Sequence, residues 1–343
     1  MHNDFSLALL RWFQANGREL PWRQTHDPYP IWLSEIILQQ TRVQQGWEYW
    51  ERFMQRWPTV EQLAAATEDE VLRLWQGLGY YSRARNLHVA AQQVVAMGGF
   101  PRTLEGIRSL RGVGDYTAAA IGSFAFGLPA AVVDGNVYRV LARHFGIDTP
   151  INSTEGKREF AALAQELLPC STNGQTANAP HSQTTADYNQ AIMDFGALQC
   201  TPSSPRCIDC PLMESCVAFR EDRVSELPVK LRKMNIKTRH LIYIYIKWQG
   251  KVALHRRGEG DIWQGLWEPY MIEDGPLPAF DGRLSLLRKD VKHVLTHRIL
   301  LADFYLLETD EQPKIPSDYI WVDEGEKGNY AVPRLIEILF LSL

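Results

Sequence analysis

The spacing of apolar residues divides the chain into a helical part and a mixed part. From the N-terminus to about Arg220, apolar positions recur three and four residues apart, as at Val71, Leu74, Trp75 and Leu78. Because β-branched alternation is scarce there, this period predicts an all-α region. Proline and glycine breakers are expected to divide it into helices of ordinary length at 28–30, 57–58, 98–101, 127–129 and 149–150.

A different pattern begins after Arg223. Residues 225–237 carry a proline and several basic residues with little periodicity, which predicts an interdomain linker whose charge can meet DNA phosphates. Strand-like runs follow at 241–248, 252–255, 291–307 and 319–322, and an amphipathic helix is expected from Pro333. We therefore expect a multidomain fold with an all-α region over 1–223, a linker over 224–237 and an α+β domain over 238–343.

Composition narrows the class of protein without identifying a partner. The chain has 343 residues, of which 45% are hydrophobic and 22% charged, so it is too apolar to be disordered. We expect a cytoplasmic protein, since no apolar run is long enough for a membrane span and the N-terminus lacks a signal-peptide layout. The net charge of -4 means that nucleic-acid binding must be argued from local features. The polar segment 169–185 is expected to be a mobile loop, with Cys170 as a free thiol.

Four of the five cysteines lie within seventeen residues, as Cys200, Cys207, Cys210 and Cys216. Prolines between them favour tight turns that bring the thiols together. Thiolates are soft ligands, so this loop predicts either a tetrahedral zinc site or an iron-sulfur cluster, and the spacing alone favours neither. Four reduced thiols without a metal are the remaining alternative.

A glycine-containing turn separates two helical stretches at 110–118. Gly112 and Gly114 flank the apolar Val113, and the backbone N–H groups of such a turn can point at a phosphate oxygen from the start of the next helix. The segment predicts a helix-hairpin-helix that grips the DNA backbone without reading sequence. A plain tight turn between helices is the structural alternative.

Two carboxyl groups are candidates for opposite roles. Glu35 shares a helix face with Ile31, Trp32 and Leu38, so burial should raise its pKa and suit it to donate a proton, unless a nearby arginine satisfies it structurally. Asp134 stands just before a helix, where an N-cap role is expected and where backbone donors should keep it anionic. Two carboxyls in opposite protonation states suit cleavage of a glycosidic bond through a cation-like transition state.

Taken together and in this order, these motifs resemble the MutY adenine DNA glycosylases of the helix-hairpin-helix superfamily. The resemblance covers nearly the whole chain. It is carried by 20–23, 34–43, 77–83, the hairpin, 134–137, 189–191 and the cysteine loop.

The resemblance implies an enzyme of base excision repair that binds double-stranded DNA and removes adenine mispaired with 8-oxoguanine or guanine. Glu35 would protonate the flipped adenine, Asp134 would stabilise the oxocarbenium-like sugar, and Tyr116 would lie beside them. Residues expected to line the adenine pocket or wedge into the duplex are Trp22, Arg23, Leu38, Gln40 and Gln190. Tyr80 would insert near the orphaned base, and the four cysteines would hold a 4Fe-4S cluster. We expect a monomer.

Residue 116 also bears on the type of glycosylase. Relatives such as endonuclease III, which cut the strand after removing the base, carry a lysine nucleophile at the position of Tyr116. A Schiff base needs an amine, so a monofunctional glycosylase is favoured over a bifunctional glycosylase and lyase. The third alternative is a DNA-binding protein whose C-terminal domain performs hydrolysis or no chemistry.

The C-terminal domain resembles the Nudix-like module with which this family recognises 8-oxoguanine. The glutamate-rich motif of active Nudix hydrolases is missing after Glu268, which argues against pyrophosphate cleavage. The recognition loop of the family usually reads Phe-Ser-His, whereas this chain has Leu295, Thr296 and His297. Threonine keeps the hydroxyl, but the aromatic packing contact is lost.

Overall fold

A computed structural model describes residues 2–169, 184–231 and 236–343, apart from the side chains of His2 and Asn3. The prediction of a helical first part is confirmed. Its helices are α1 (His2–Asn16), α2 (Pro28–Ile37), α3 (Val43–Arg56), α4 (Val60–Ala65), α5 (Glu68–Trp75), α6 (Ser82–Ala96), α7 (Leu104–Ser109), α8 (Asp115–Phe126), α9 (Gly135–Phe145), α10 (Thr154–Glu166), α11 (Thr185–Leu198) and α12 (Val217–Arg220). The predicted mobile loop and Cys170 lie outside the described residues, apart from the ends of the loop.

Local signals explain where these helices begin and end. Thr59, Thr67 and Thr184 each form a capping box, in which the threonine side chain and a residue three positions later satisfy each other's backbone N–H groups. Gly127 and Gly146 end α8 and α9 in the left-handed conformation that favours glycine. Of the predicted breakers, Gly127 thus acts through an identifiable cap.

The second part is built on a seven-stranded sheet. Its elements are β1 (Lys237–Trp248), β2 (Lys251–Arg256), β3 (Trp267–Glu268), β4 (Tyr270–Glu273), β5 (Arg283–Val294), β6 (Arg298–Thr309), β7 (Tyr319–Asp323) and α13 (Arg334–Phe340). Strands β3, β2, β1, β6 and β5 are neighbours in that order, β4 pairs with β1, and β7 with β2. Only the β1–β6 pairing is parallel among the described strands, with Tyr243 opposite Phe304. Both residues are buried and pack against Leu335 and Ile336 of α13 in one apolar core.

The predicted strand run 291–307 is wrong in one respect. It is the end of β5 and most of β6, which are antiparallel and joined by a turn at 295–297. The Leu295 N–H closes this turn by donating to the Arg298 carbonyl at 2.8 Å. Apolar residues continue on both sides without a glycine or proline, so the sequence carries no turn signal at this point. The strands β3 and β4 and the first part of β5 were not predicted.

Close packing divides the described chain into two compact units. One comprises the chain up to Trp50 and from Ala90 to the linker, and the other comprises Glu51–Val89 and the chain after the linker. Within the second unit, Gln76 donates to Glu337 at 2.6 Å and the Arg85 guanidinium donates to the Gln264 carbonyl at 2.5 Å. Residues 51–89 thus pack with the C-terminal part of the chain, an association that local periodicity cannot indicate. None of the described helices has the length and apolar character needed to span a membrane.

Candidate active site

Helix α2 positions Glu35 within an apolar environment. Asp27 caps the helix by accepting the Tyr29 N–H at 2.9 Å, and prolines at the first turn favour the helical start. The face around Glu35 includes Ile31 and Trp32, both buried, and Glu35 itself is only 8% exposed. The helix therefore holds a carboxyl group in a place where ionisation is costly.

Tyr116 contacts Glu35 directly. Its hydroxyl donates to Glu35 Oε2 at 2.8 Å from the first turn of α8. Burial raises the pKa of Glu35 to about 7, while the hydrogen bond from Tyr116 and the charge of Arg23 act in the opposite direction. The expectation of a raised Glu35 pKa is confirmed. Burial and the charge of Glu35 also raise the pKa of Tyr116 well above its ordinary value, so Tyr116 stays a donor.

Asp134 lies at the end of a loop, and a buried amide side chain holds this loop in place. Asn189, on α11, accepts the Val132 N–H at 3.2 Å and donates to the Ala130 carbonyl at 2.8 Å. Asp134 then accepts the N–H groups of Asn136 and Val137 at 2.9 and 2.8 Å, which confirms the predicted N-cap of α9.

The donors favour the Asp134 anion as predicted, but they do not decide the net direction of its pKa shift. Burial raises the pKa of Asp134 above its ordinary value, because desolvation outweighs the hydrogen bonds from Val137 and Asn136 that lower it. The sequence indicated the backbone donors at the start of the helix, but it did not indicate how deeply the loop buries the Asp134 carboxyl. Asp134 and Glu35 are thus both desolvated, and they differ in their partners, since Asp134 has several donors that favour its anion.

One cavity of about 730 Å³ brings the predicted residues together. Its walls include Glu35, Asp134 and Tyr116, and also all five residues expected in the adenine pocket, which are Trp22, Arg23, Leu38, Gln40 and Gln190. This volume lies in the range of ligand-binding cavities. The cavity thus exposes both carboxyl groups to one enclosed space.

An ion-pair network at the wall of this cavity was not predicted from the sequence. Arg23 donates to both carboxylate oxygens of Asp194 at 2.8 and 2.9 Å, and Arg18 pairs with the same carboxylate. Although burial opposes it, these hydrogen bonds lower the pKa of Asp194 to about 2. The network fixes Arg23 beside Glu35, but more than 170 positions separate Asp194 from its partners, so no local pattern could reveal it.

A second missed network joins the start of α9 to the cysteine loop. Asn136 donates to Asp134 Oδ2 at 2.8 Å and accepts from Arg139 at 2.8 Å. Arg139 also donates to the Cys200 carbonyl at 2.7 Å. Gly196 of α11 lies so close to Asn136 that an added Cβ would be 2.6 Å from the Asn136 Cβ.

The hairpin has the expected geometry. Gly112 has a φ of 77°, which favours glycine, and the Val113 N–H donates to the Leu110 carbonyl at 3.1 Å. Val113 is buried, whereas Gly112 and Gly114 are exposed. Gly114 is the N-cap of α8, and apart from its chain neighbours no atom of the described residues lies within 4 Å of the place that a Cβ would occupy. Its backbone is therefore open to close approach.

The four cysteines Cys200, Cys207, Cys210 and Cys216 line one small cavity. Burial raises the pKa of Cys210 to about 11, and the neighbouring thiols add to this. Arg143, which is buried, donates to Cys200 Sγ at 3.4 Å. No group of three His, Cys, Asp or Glu side chains among the described residues converges closely enough to hold a single metal ion.

Tyr80, Thr296 and His297 are not in the large cavity but in the second compact unit. Thr296 and His297 form the exposed tip of the β5–β6 turn. Tyr80 is 49% exposed, and its hydroxyl lies 2.6 Å from Thr296 Oγ1. The family resemblance implies separate contacts with the opposite base for these two residues, and in this structure they are hydrogen-bonded to each other.

Comparison with known families defines the class of protein. A family model described as "HhH-GPD superfamily base excision DNA repair protein" matches residues 33–170, and a NUDIX domain model matches residues 242–341. Together with the hairpin and the two-carboxyl cavity, this identifies a helix-hairpin-helix DNA glycosylase with a Nudix-like domain, an enzyme that acts on DNA in base excision repair.

Individual relatives identify the family. The adenine DNA glycosylase of Buchnera aphidicola subsp. Baizongia pistaciae is 34% identical over 308 residues, covering 86% of this chain and 84% of that protein. The adenine DNA glycosylase of Homo sapiens is 43% identical over 225 residues, covering 62% of this chain and 39% of the human protein. The structure of a thermostable thymine-DNA glycosylase has a TM-score of 0.57 at 30% identity, covering 64% of this chain and 97% of that one. The chain belongs to the adenine DNA glycosylase family.

Proposed function

We propose that this enzyme hydrolyses the N-glycosidic bond of adenine mispaired with 8-oxoguanine or guanine. The observation that carries this proposal is the joint placement of Glu35 and Asp134 in one cavity, with Glu35 at a pKa of about 7. Adenine must leave the base stack to enter the cavity, because its glycosidic bond is out of reach inside a duplex.

Glu35 is assigned the role of general acid. A carboxyl group with a pKa near neutrality is partly protonated at physiological pH and donates well in a transition state. Protonation of adenine at N7 makes the base a better leaving group. Tyr116 fixes the orientation of the Glu35 carboxyl through the hydrogen bond to Oε2.

Asp134 is assigned the stabilisation of the positive charge that develops on the sugar. Its carboxylate keeps the N-cap hydrogen bonds from Asn136 and Val137, which favour the anion without neutralising it fully. A fixed anion in a desolvated cavity interacts strongly with an oxocarbenium-like centre. Water is the final nucleophile.

The remaining cavity residues are assigned to adenine binding. Trp22 packs its ring against Trp47 and Trp50, at centroid distances of 5.7 and 5.5 Å, so it offers a rigid wall to a flat base. Gln40 and Gln190 supply amides that both donate and accept hydrogen bonds. Arg23, held by Asp194, and the apolar Leu38 complete this assignment.

A bifunctional glycosylase and lyase would need an amine nucleophile in the cavity, and this requirement can be tested. No lysine belongs to the described residues that line the cavity, and Tyr116 stands where a lyase would need its nucleophile. Borohydride trapping on a duplex that contains the target adenine should therefore give no covalent adduct. A trapped adduct would show that an amine attacks the sugar and would contradict the monofunctional assignment.

The cysteine loop is assigned a 4Fe-4S cluster with Cys200, Cys207, Cys210 and Cys216 as ligands. The donor set fits this group, since four thiols line one cavity and the buried Arg143 offers positive charge to Cys200. When bound, the cluster supplies covalent cross-links within the loop. Iron and sulfide analysis, with absorption at about 400 nm, should distinguish it from stoichiometric zinc.

Recognition of the duplex is assigned to exposed residues outside the cavity. Gly112, Val113 and Gly114 would hold a backbone phosphate, while Thr296 and His297 would contact 8-oxoguanine, with Tyr80 beside the orphaned base. The assignments of a monomer and of a cytoplasmic location remain predictions.

A single-turnover assay tests the proposed function directly. The full chain should release adenine from duplexes with adenine opposite 8-oxoguanine or guanine, and release no base from matched duplexes with cytosine or thymine as the target. Absence of adenine release from both mispairs, in protein that binds these duplexes, would contradict the proposal.

A further inference from the structure

Gly46 is a buried glycine in the first turn of α3. Its N–H donates to the Arg42 carbonyl at 2.9 Å, which is the regular hydrogen bond of an α-helix. Glycine is a poor helix former, and Gly46 does not have the positive φ that would favour glycine. Its backbone conformation therefore gives no reason for a glycine, and the reason lies in its contacts.

The space beside Gly46 is filled by Leu38, which follows the last residue of α2. A Cβ on residue 46 would be 2.6 Å from Leu38 Cδ2 and 3.4 Å from Ile37 Cγ2. The first distance is well below the separation at which two carbon atoms attract each other. Leu38 thus packs a methyl group against the bare backbone of α3, in a position that a larger residue at 46 would close.

The other side of Leu38 faces the two-carboxyl cavity. Leu38 lines this cavity together with Glu35, which lies one helical turn earlier. Ile37 is fully buried, so Leu38 has no space to move toward it. A side chain on residue 46 would therefore displace Leu38 into the cavity.

Aromatic packing prevents α3 from moving away instead. Trp50 Nε1 donates to the Pro30 carbonyl at 2.9 Å and so ties α3 to the first turn of α2. The rings of Trp47 and Trp50 also pack against Trp22 in the cavity wall, at centroid distances of 5.7 and 5.5 Å. The part of α3 that carries Gly46 is thus fixed to the cavity wall, and a close-packed interior of this kind is hardly compressible.

We propose that Gly46 is a positioning residue, which acts through Leu38 to keep the cavity wide enough for a purine base. Since residue 46 has no side chain, Leu38 packs back onto α3 and the cavity keeps its volume of about 730 Å³. Gly46 itself is not among the described residues that line the cavity. This inference rests on the proposed function, in which the adenine enters this cavity.

The test combines Gly46→Ala with a shorter side chain at residue 38. Single-turnover adenine release opposite 8-oxoguanine is measured on the full chain for wild type, Gly46→Ala, Leu38→Val and the double variant. Gly46→Ala should release adenine about ten-fold more slowly, an effect typical of an extra methyl group in a close-packed site. Valine has no Cδ atom, so in the Leu38→Val background the same change should slow release by less than about two-fold.

Two further measurements separate this effect from a general loss of structure. Alanine favours a helix over glycine, so Gly46→Ala should keep the wild-type melting temperature and the wild-type affinity for a matched duplex. Gly122→Ala in α8 is the matched control, because its Cβ would also meet a leucine methyl, Leu104 Cδ2 at 2.9 Å. Neither Gly122 nor Leu104 lines the cavity in the described part of the chain, so this variant should release adenine at the wild-type rate.

Three results overturn the proposal. The first is a wild-type rate in Gly46→Ala, and the second is the same fold loss from Gly46→Ala with leucine and with valine at residue 38. The third is a Gly46→Ala protein that is unfolded or that loses duplex affinity together with rate, because the backbone rather than Leu38 would then have moved. Absence of adenine release by the wild type, in protein that binds the duplex, would instead contradict the proposed function itself.

Discussion

The two-carboxyl cavity and the turn at Thr296 differ in how they hold polar groups. In the cavity, Glu35 and Asp134 are desolvated, and networks through Tyr116 and Asn136 fix their orientation. At the turn, Thr296 is exposed, and its hydroxyl lies beside that of the exposed Tyr80.

This difference suits the two tasks proposed for these regions. Bond cleavage needs a proton donor with a shifted pKa and a strong local field, which burial supplies. Groups that read an opposite base must be exposed in the protein without DNA, so that they can contact the base. The free energy with which one hydroxyl discriminates between two bases is that of one or two hydrogen bonds. Substitutions in the cavity should therefore change rate by orders of magnitude, and those at the turn should change preference by smaller factors.

The largest effect is expected from Glu35→Gln. Loss of the general acid should lower the single-turnover rate of adenine release about 10³-fold or more on both mispairs, within the range of general acid catalysis. Glu159→Gln on the exposed face of α10 is the control and should keep the wild-type rate. Retention of adenine release by Glu35→Gln would show that the proton comes from another group.

The variant Asp134→Asn should separate the effect of the negative charge at residue 134 from the effect of its helix-capping role. Asparagine caps helices about as well as aspartate, so the melting temperature should change little, while the rate should fall about 10²-fold through loss of the anion. Asp134→Ala removes both and should cost about 1 kcal/mol of stability as well. Equal rates for Asp134→Asn and wild type would leave Asp134 with the capping role alone.

The pH dependence of adenine release should report the ionisation of Glu35. The protonated acid is required, so the rate should fall as pH rises through about 7. The Tyr116 hydrogen bond lowers the Glu35 pKa, so Tyr116→Phe should move this decline to higher pH. Tyr138→Phe removes a hydroxyl outside the cavity and serves as the control. A shift to lower pH in Tyr116→Phe would contradict the assignment.

At the turn, the double variant Thr296→Ala with His297→Ala should weaken the preference for 8-oxoguanine over guanine about ten-fold, as expected for one or two polar contacts. The effect should exceed any slowing of adenine release from the guanine mispair. Thr309→Ala, at the far end of β6, provides the comparison. Equal slowing on both mispairs would refute a recognition role for the turn.

The smallest effect is expected from Gly114→Ala in the hairpin. The added Cβ meets no protein atom, so the fold should be kept, but it should obstruct a phosphate and weaken duplex binding a few-fold. Gly258→Ala, also in open space, should bind as wild type does. Binding is measured by titration at several salt concentrations. Unchanged affinity would remove Gly114 from the DNA contact.

Sequence reasoning found the parts of the site that local pattern determines. The helical spacing around Glu35 predicted its burial, and the position of Asp134 predicted its cap. The net pKa direction of Asp134 was missed, because the depth of its loop depends on Asn189 in a distant helix. Asp194 was missed for the same reason.

The fold shows the same division between local and distant information. Helices with clear caps were predicted, whereas β5 was found only in part, because polar residues such as Arg283, Ser285 and Lys289 obscure its alternation. The packing of residues 51–89 with the C-terminal part of the chain depends on contacts such as that of Gln76 with Glu337 in α13. Such pairs leave no trace in a periodicity of three or four residues.

Gly196 occupies a position in α11 where a larger residue is not tolerated without a shift of the neighbouring atoms. The backbone of α11 there lies against Asn136, which in turn orients Asp134 and contacts Arg139. Even one methyl group would push the two helices apart or displace the amide. A chain with alanine at this position should therefore lose stability as well as catalytic rate, so a defect in catalysis can arise from a residue with no functional group at all.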